Sequence, residues 1–177
     1  MAGISKWRAY QAEVKRQQQL AQYTEDLTDA LNELYRIETD LFQDIAKQQA
    51  SDIDNRTILQ SMLDAATAPI DALAHVQAPD ELADAQAHFK KAASSYHTMA
   101  DTLNDMLSDA STTDADLRDA LIDMLPNAVS AFDEVKAGIT VLAKNSDITL
   151  PDSAKQLETA LNSFSGDSLR SILTAQP

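Results

Sequence analysis

No glycine occurs between Gly3 and Gly138, and Gly166 is the only one beyond them. Glycine supplies the positive-φ turns of hairpins, the bulges of sheets and the close backbone approach that a phosphate-binding loop requires. A chain that does without it over so long a stretch is expected to fold as helices. Over the same stretch apolar residues recur at steps of three and four, the spacing that lines one face of a helix. With 177 residues, 44% hydrophobic and 24% charged, the chain is long enough to close a core and too apolar to stay disordered. The expectation is a single all-α domain over residues 1–177. Its architecture reads as an up-down-up-down antiparallel four-helix bundle with a long first helix and a short C-terminal helix.

The first helix is expected from about Ser5 to Gln49, striped by Leu20, Tyr23, Leu27, Leu31, Leu34, Ile37, Leu41 and Ile45. Trp7, Tyr10 and Val14 are read as continuing that stripe through polar sequence. Some 45 residues at ~1.5 Å each make a rod roughly 65 Å long, whereas the later helices are nearer 30 residues. Residues 1–19 are therefore expected to overhang the bundle, bend or pack on a partner. Ser51 with Asp54 reads as a capping box for the second helix, striped by Ile58, Leu59, Met62, Leu63, Ala66, Ile70, Leu73 and Val76. Pro79 opens the third, with Asp80 and Glu81 facing the positive end of its dipole. Its stripe is Leu82, Ala85, Phe89, Ala92, Tyr96, Met99, Leu103, Met106 and Ala110. Thr112 or Thr113 caps a fourth, carried by Leu117, Leu121, Met124, Leu125, Ala128, Phe132, Val135, Ile139 and Leu142. Residues 146–177 are expected to hold a loop and short helices, opened by Pro151 and Asp152 and stopped by Gly166.

Pro69 and Pro126 fall inside the second and fourth helices, where each removes a backbone hydrogen bond. The two helices run the same way, so the prolines are expected at similar depth, sharing a bend or a gap that would form a pocket.

Charge is unevenly distributed. Lys6, Arg8, Lys15 and Arg16 against Glu13 give the first twenty residues +3, leaving −17 for the rest, since the whole chain is −14. Such a surface repels phosphate backbones and makes nucleic acid an unsuitable partner. Trp7, Arg8, Tyr10, Lys15 and Arg16 form the one aromatic–basic cluster. Trp, Tyr and basic residues are the types that anchor at a membrane interface. At a helix start their positive charge opposes the dipole, so something must compensate it: acidic faces of the same bundle, a membrane or a partner. No run of 18 apolar residues exists, so no transmembrane segment is expected.

Chemistry finds little support. The chain has no cysteine, which removes thiolate nucleophiles and cysteine metal sites. Three histidines each have an aspartate four residues away: Asp71 with His75, Asp84 with His88, and His97 with Asp101. That spacing puts both side chains on one helix face, where they pair on the surface or share a metal; His88 with Asp84 is the metal candidate. Glu-x-x-His motifs of di-metal bundles, His-Glu-x-x-His, the phosphate-binding loop and the calcium loop are all absent. No catalytic residue and no cofactor is assigned.

Ala78, Pro79, Asp80, Glu81 and Leu82, then Ala87, His88 and Phe89 and the small-residue stripe to Leu103, resemble helical domains of bacterial surface lipoproteins, often from Gram-positive species. The resemblance covers roughly residues 20–110 and implies a cell-surface setting. The functional expectation is a non-enzymatic helical interaction module whose partner is another protein. The alternative is a bundle binding a small ligand or metal at the proline kinks. The expected location is cytoplasmic if Met1 is the native start, and extracytoplasmic if a leader has been removed.

Overall fold

The computed structural model describes residues 2–48 and 55–163, and every regular element among them is helical. The elements are α1 (Ala2–Gln48), α2 (Asn55–His75), a 3-10 turn (Asp80–Leu82), α3 (Ala83–Ser108), α4 (Asp114–Ala143) and α5 (Asp152–Ser163). The expected capping box at Ser51 and Asp54 and the stop at Gly166 lie outside the described residues. So do the side chains of Leu41, Ile45, Ile58 and Met62.

Each turn carries the chemistry that ends one helix and starts the next. Pro79 precedes the 3-10 turn, and its carbonyl accepts from the Leu82 amide at 2.9 Å. Thr113 caps α4 reciprocally: its hydroxyl accepts from the Asp116 amide, and the Asp116 carboxylate accepts from the Thr113 amide, both at 3.1 Å. Before α5, the Ala154 amide reaches the Pro151 carbonyl at 3.0 Å.

Cross-helix hydrogen bonds show the directions. Gln60 meets Asn104 while Gln86 meets Ala74, so α2 and α3 are antiparallel. His88 meets Glu134 and Ser95 meets Ser130, so α3 and α4 are antiparallel as well. Arg16 meets Glu81 and Tyr23 meets Gln86, which sets α1 running with α3. In packing order, α1 lies on α2, α2 on α3, α3 on α4, α4 on α5, and α5 back on α1. The fifth helix is thus a full member of the core: Ala154, Leu157 and Leu161 are buried beside Leu20, Tyr23, Leu27 and Leu142.

The interior has two apolar clusters. One joins α1, α5 and the neighbouring ends of α2, α3 and α4; the other, around Leu63, Ile70, Tyr96, Leu103 and Ala131, lies among α2, α3 and α4. Leu34 packs against both. The expected stripes of the third and fourth helices turn inward at Leu82, Phe89, Leu103, Leu117, Val135 and Leu142. Ala110 does not, because α3 ends at Ser108 and Ala110 is exposed in the turn that follows.

The first helix is one unbroken rod of 47 residues whose first buried side chain is Leu20. Trp7, Tyr10 and Val14 do not continue its core stripe. At ~100° per residue, Trp7 lies about 140° round the helix from Leu20, Val14 about 120° and Tyr10 about 80°. Steps of three repeated without enough steps of four rotate a stripe off its face. Arg16, about 40° from Leu20 on the core side, is the residue that carries the packed face one turn further.

Pro126 does not interrupt α4, and α2 likewise runs through Pro69. A proline deletes one N–H bond, and neighbouring packing holds the rest of the ladder. The two prolines have different settings: Pro69 is buried, whereas Pro126 is exposed.

Candidate functional site

Arg16 is where α1 leaves the bundle. Its Nε donates to Glu81 Oε1 at 2.7 Å and its Nη2 to Glu81 Oε2 at 2.8 Å, a two-pronged grip on the 3-10 turn that leads into α3. The same Nη2 reaches Asp147 Oδ2 at 2.7 Å in the loop between α4 and α5, and Nη1 reaches Glu13 at 3.2 Å. Its hydrogen bonds to Glu81 and then Asp147 hold the guanidinium well above its ordinary range, and the Arg16 bond holds the Glu81 carboxyl below its own. One cation therefore ties three elements together at the exit point.

Beyond Arg16 the helix projects as an arm. Ile4, Trp7 and Tyr10 are 57, 60 and 68% exposed, and they are the exposed large hydrophobics among the described residues. Together with half-buried Val14 they span about 120° of the helix surface, an arc they share with Gln11. Lys6 borders this arc on one side, Arg8 and Lys15 on the other. Among the described residues, none of these three cations has an ion-pair partner, unlike Arg16. The cluster of Trp7, Arg8, Tyr10, Lys15 and Arg16 thus divides. Arg16 is compensated by acidic faces of its own bundle, and the other four side chains are open.

The histidines sit elsewhere; His88 and His97 pair across helices rather than with the aspartate four residues away, and His75 meets only the backbone carbonyl of its own. His88 Nδ1 lies 2.6 Å from Glu134 Oε2 on α4 rather than on Asp84. His97 Nε2 lies 2.5 Å from Asp71 Oδ1 on α2. His75 Nδ1 lies 2.7 Å from the Asp71 carbonyl. Each pair joins two groups only; among the described residues no group of three or more His, Asp or Glu gathers in metal-binding geometry.

A groove of about 670 Å³ runs along α1 beside the loop after α4, lined by Gln17, Thr24, Glu25, Thr28, Asp29 and Asp147 among others. Neither Pro69 nor Pro126 lines it. Its threonines are satisfied within their own helix, Thr24 donating to the Leu20 carbonyl at 2.8 Å and Thr28 to the Thr24 carbonyl at 2.7 Å.

Sequence reasoning overlooked Gln86. It is buried, its amide nitrogen donates to the Leu73 and Ala74 carbonyls at 3.0 and 2.8 Å, and its amide oxygen accepts from the Tyr23 hydroxyl at 3.3 Å. Helix ends leave carbonyls without partners, so Gln86 completes the end of α2 while joining α1, α2 and α3. Its only signal in the sequence was its place beside Ala85 on an otherwise apolar face.

Comparison of the chain with protein-family models, with curated proteins and with solved structures finds no match. Among the described residues, no helix is long and apolar enough to cross a membrane.

Proposed function

We propose that this chain is a non-enzymatic helical interaction module in which an antiparallel up-down-up-down bundle is the rigid mount and the N-terminal arm of α1 is the docking element. The carrying observation is the arm's own apolar arc, turned away from the core face and left open while α1 continues unbroken into the bundle. The arm lacks the tertiary packing that supplies most of the stability of a protein helix. A docked partner supplies what the bundle does not.

The test uses Trp7, the only tryptophan of the chain. In buffer its emission should be that of a water-exposed indole, quenched by acrylamide at all protein concentrations. Deleting residues 2–13, which spares Arg16, should leave a cooperative melt within about 2 °C of the full chain, a shift worth under about 1 kcal/mol for a domain of this size. A shielded Trp7, or a fall of ten degrees, would show that the arm belongs to the folded core instead.

A further inference from the structure

We infer that residues 4–15 of α1 dock as an in-plane amphipathic helix on an anionic lipid surface; this rests on the arm being the docking element. Four observations converge on that occupant. First, the arc of Ile4, Trp7, Tyr10 and Val14 is flanked on both sides by unpaired cations, Lys6 on one and Arg8 with Lys15 on the other. Apolar and aromatic side chains between basic borders are what a helix lying at the headgroup level presents: rings at the acyl boundary, cations among the headgroups.

Second, the helix start is the positive end of a dipole, has no acid in its first turn, and is followed by Lys6 and Arg8 in the next. Anionic headgroups beside it turn an unfavourable arrangement into a favourable one. Third, a second copy of this chain is a poor receiver. Among the described residues no large hydrophobic outside the same arm is exposed, and an arm-to-arm contact would bring Lys6, Arg8 and Lys15 against their equals.

Fourth, the acids nearest the arm, Glu13, Glu81 and Asp147, are paired with Arg16 on the core side of the helix. The outward face of α1 next carries Glu25, which lies eleven residues, about 16 Å, past Val14. That is two Debye lengths at physiological salt, so the repulsion is screened where the arm makes contact. The grip of Arg16 on Glu81 and Asp147 keeps the bundle's own mass on the other side of the helix.

The full chain is mixed with vesicles of phosphatidylcholine alone or with about one-third phosphatidylserine, and Trp7 emission and co-sedimentation are read. The serine-lipid vesicles should shift the emission to the blue and carry the protein down. Phosphatidylcholine alone should bind at least tenfold more weakly, and 0.5 M salt should release the protein. Replacing Lys6, Arg8 and Lys15 with glutamine should weaken binding about fivefold for each cation removed. Tyr10→Ser should weaken it while the melting midpoint stays unchanged.

Trp7 exposed in buffer and unmoved by either vesicle overturns the lipid surface but leaves the docking reading standing. Trp7 shielded in buffer at every concentration overturns both. Shielding that grows with protein concentration overturns lipid in favour of a second copy. A blue shift with a soluble acidic Glu/Leu helical peptide but with no vesicle overturns it in favour of an acidic protein partner.

Discussion

Replacing Gly138 with alanine sets two effects of known size against each other. Gly138 is buried within α4, and a Cβ there would stand 2.5 Å from Phe89 Cε1, 2.8 Å from Cζ and 3.0 Å from Cδ1. Helix propensity alone favours alanine by about 1 kcal/mol. The ring cannot swing away, because Phe89 is fully buried in the cluster that includes Leu31, Ala92, Val135 and Ile139. Forcing a methyl into such a core costs about 1–3 kcal/mol. The clash therefore wins, with a net loss of about 1 kcal/mol. For a domain of this size that lowers the thermal midpoint by about 2–4 °C. Urea melts of the wild type, Gly138→Ala, Phe89→Leu and the double variant would isolate the contact. In the Phe89→Leu background the alanine should become neutral or stabilising, a coupling of at least about 1 kcal/mol. If Gly138→Ala by itself raises stability by the full propensity gain, the close packing of α3 on α4 argued here is wrong.

Gln86→Leu should cost about 2 kcal/mol in a denaturant melt, because it strips partners from two buried carbonyls at the end of α2 and from Tyr23; a neutral result would refute the capping role. Glu81 and Asp116 have folded-state pKa values lowered from their ordinary 4.5 and 3.8, by the Arg16 and Thr113 hydrogen bonds respectively. A lowered carboxyl contributes stability that is fully present above its unfolded value and is lost as pH falls through the folded one. Stability should accordingly be level above about pH 5 and decline below pH 4 in melts across that range. Arg16→Gln should bring the Glu81 carboxyl back toward 4.5 in an NMR titration; an unmoved titration would show that the grip is absent in solution.

The legible part of the fold was the part written in residue type and spacing. Leu82, Phe89, Leu103 and Leu142 belong to long stripes, and all are buried. Thr113 announced the start of α4 because capping is local chemistry. Phase over long distances was not legible. Trp7 and Tyr10 look like outliers of the Leu20 stripe until the accumulated rotation is followed, and then they define a separate face. Pairing across helices was equally hidden: nothing in the spacing of His88 and Asp84 foretells Glu134 on another helix. Arg16 looked like one more member of a basic cluster because its partners, Glu81 and Asp147, are brought near only by the hairpins that intervene. The role of α5 was underestimated because a twelve-residue helix gives a short stripe, and its weight comes from the seam between α1 and α4 that it fills.

Residue-resolved amide hydrogen exchange of the full chain is the most direct measurement, since it separates a packed helix from an overhanging one along the same rod. The amides of 20–31, 85–103 and 131–142 should open only with global unfolding, while those of 5–13 exchange faster by several orders of magnitude. Uniform protection from residue 5 to residue 31 would contradict the division of α1 into a free arm and a buried strut.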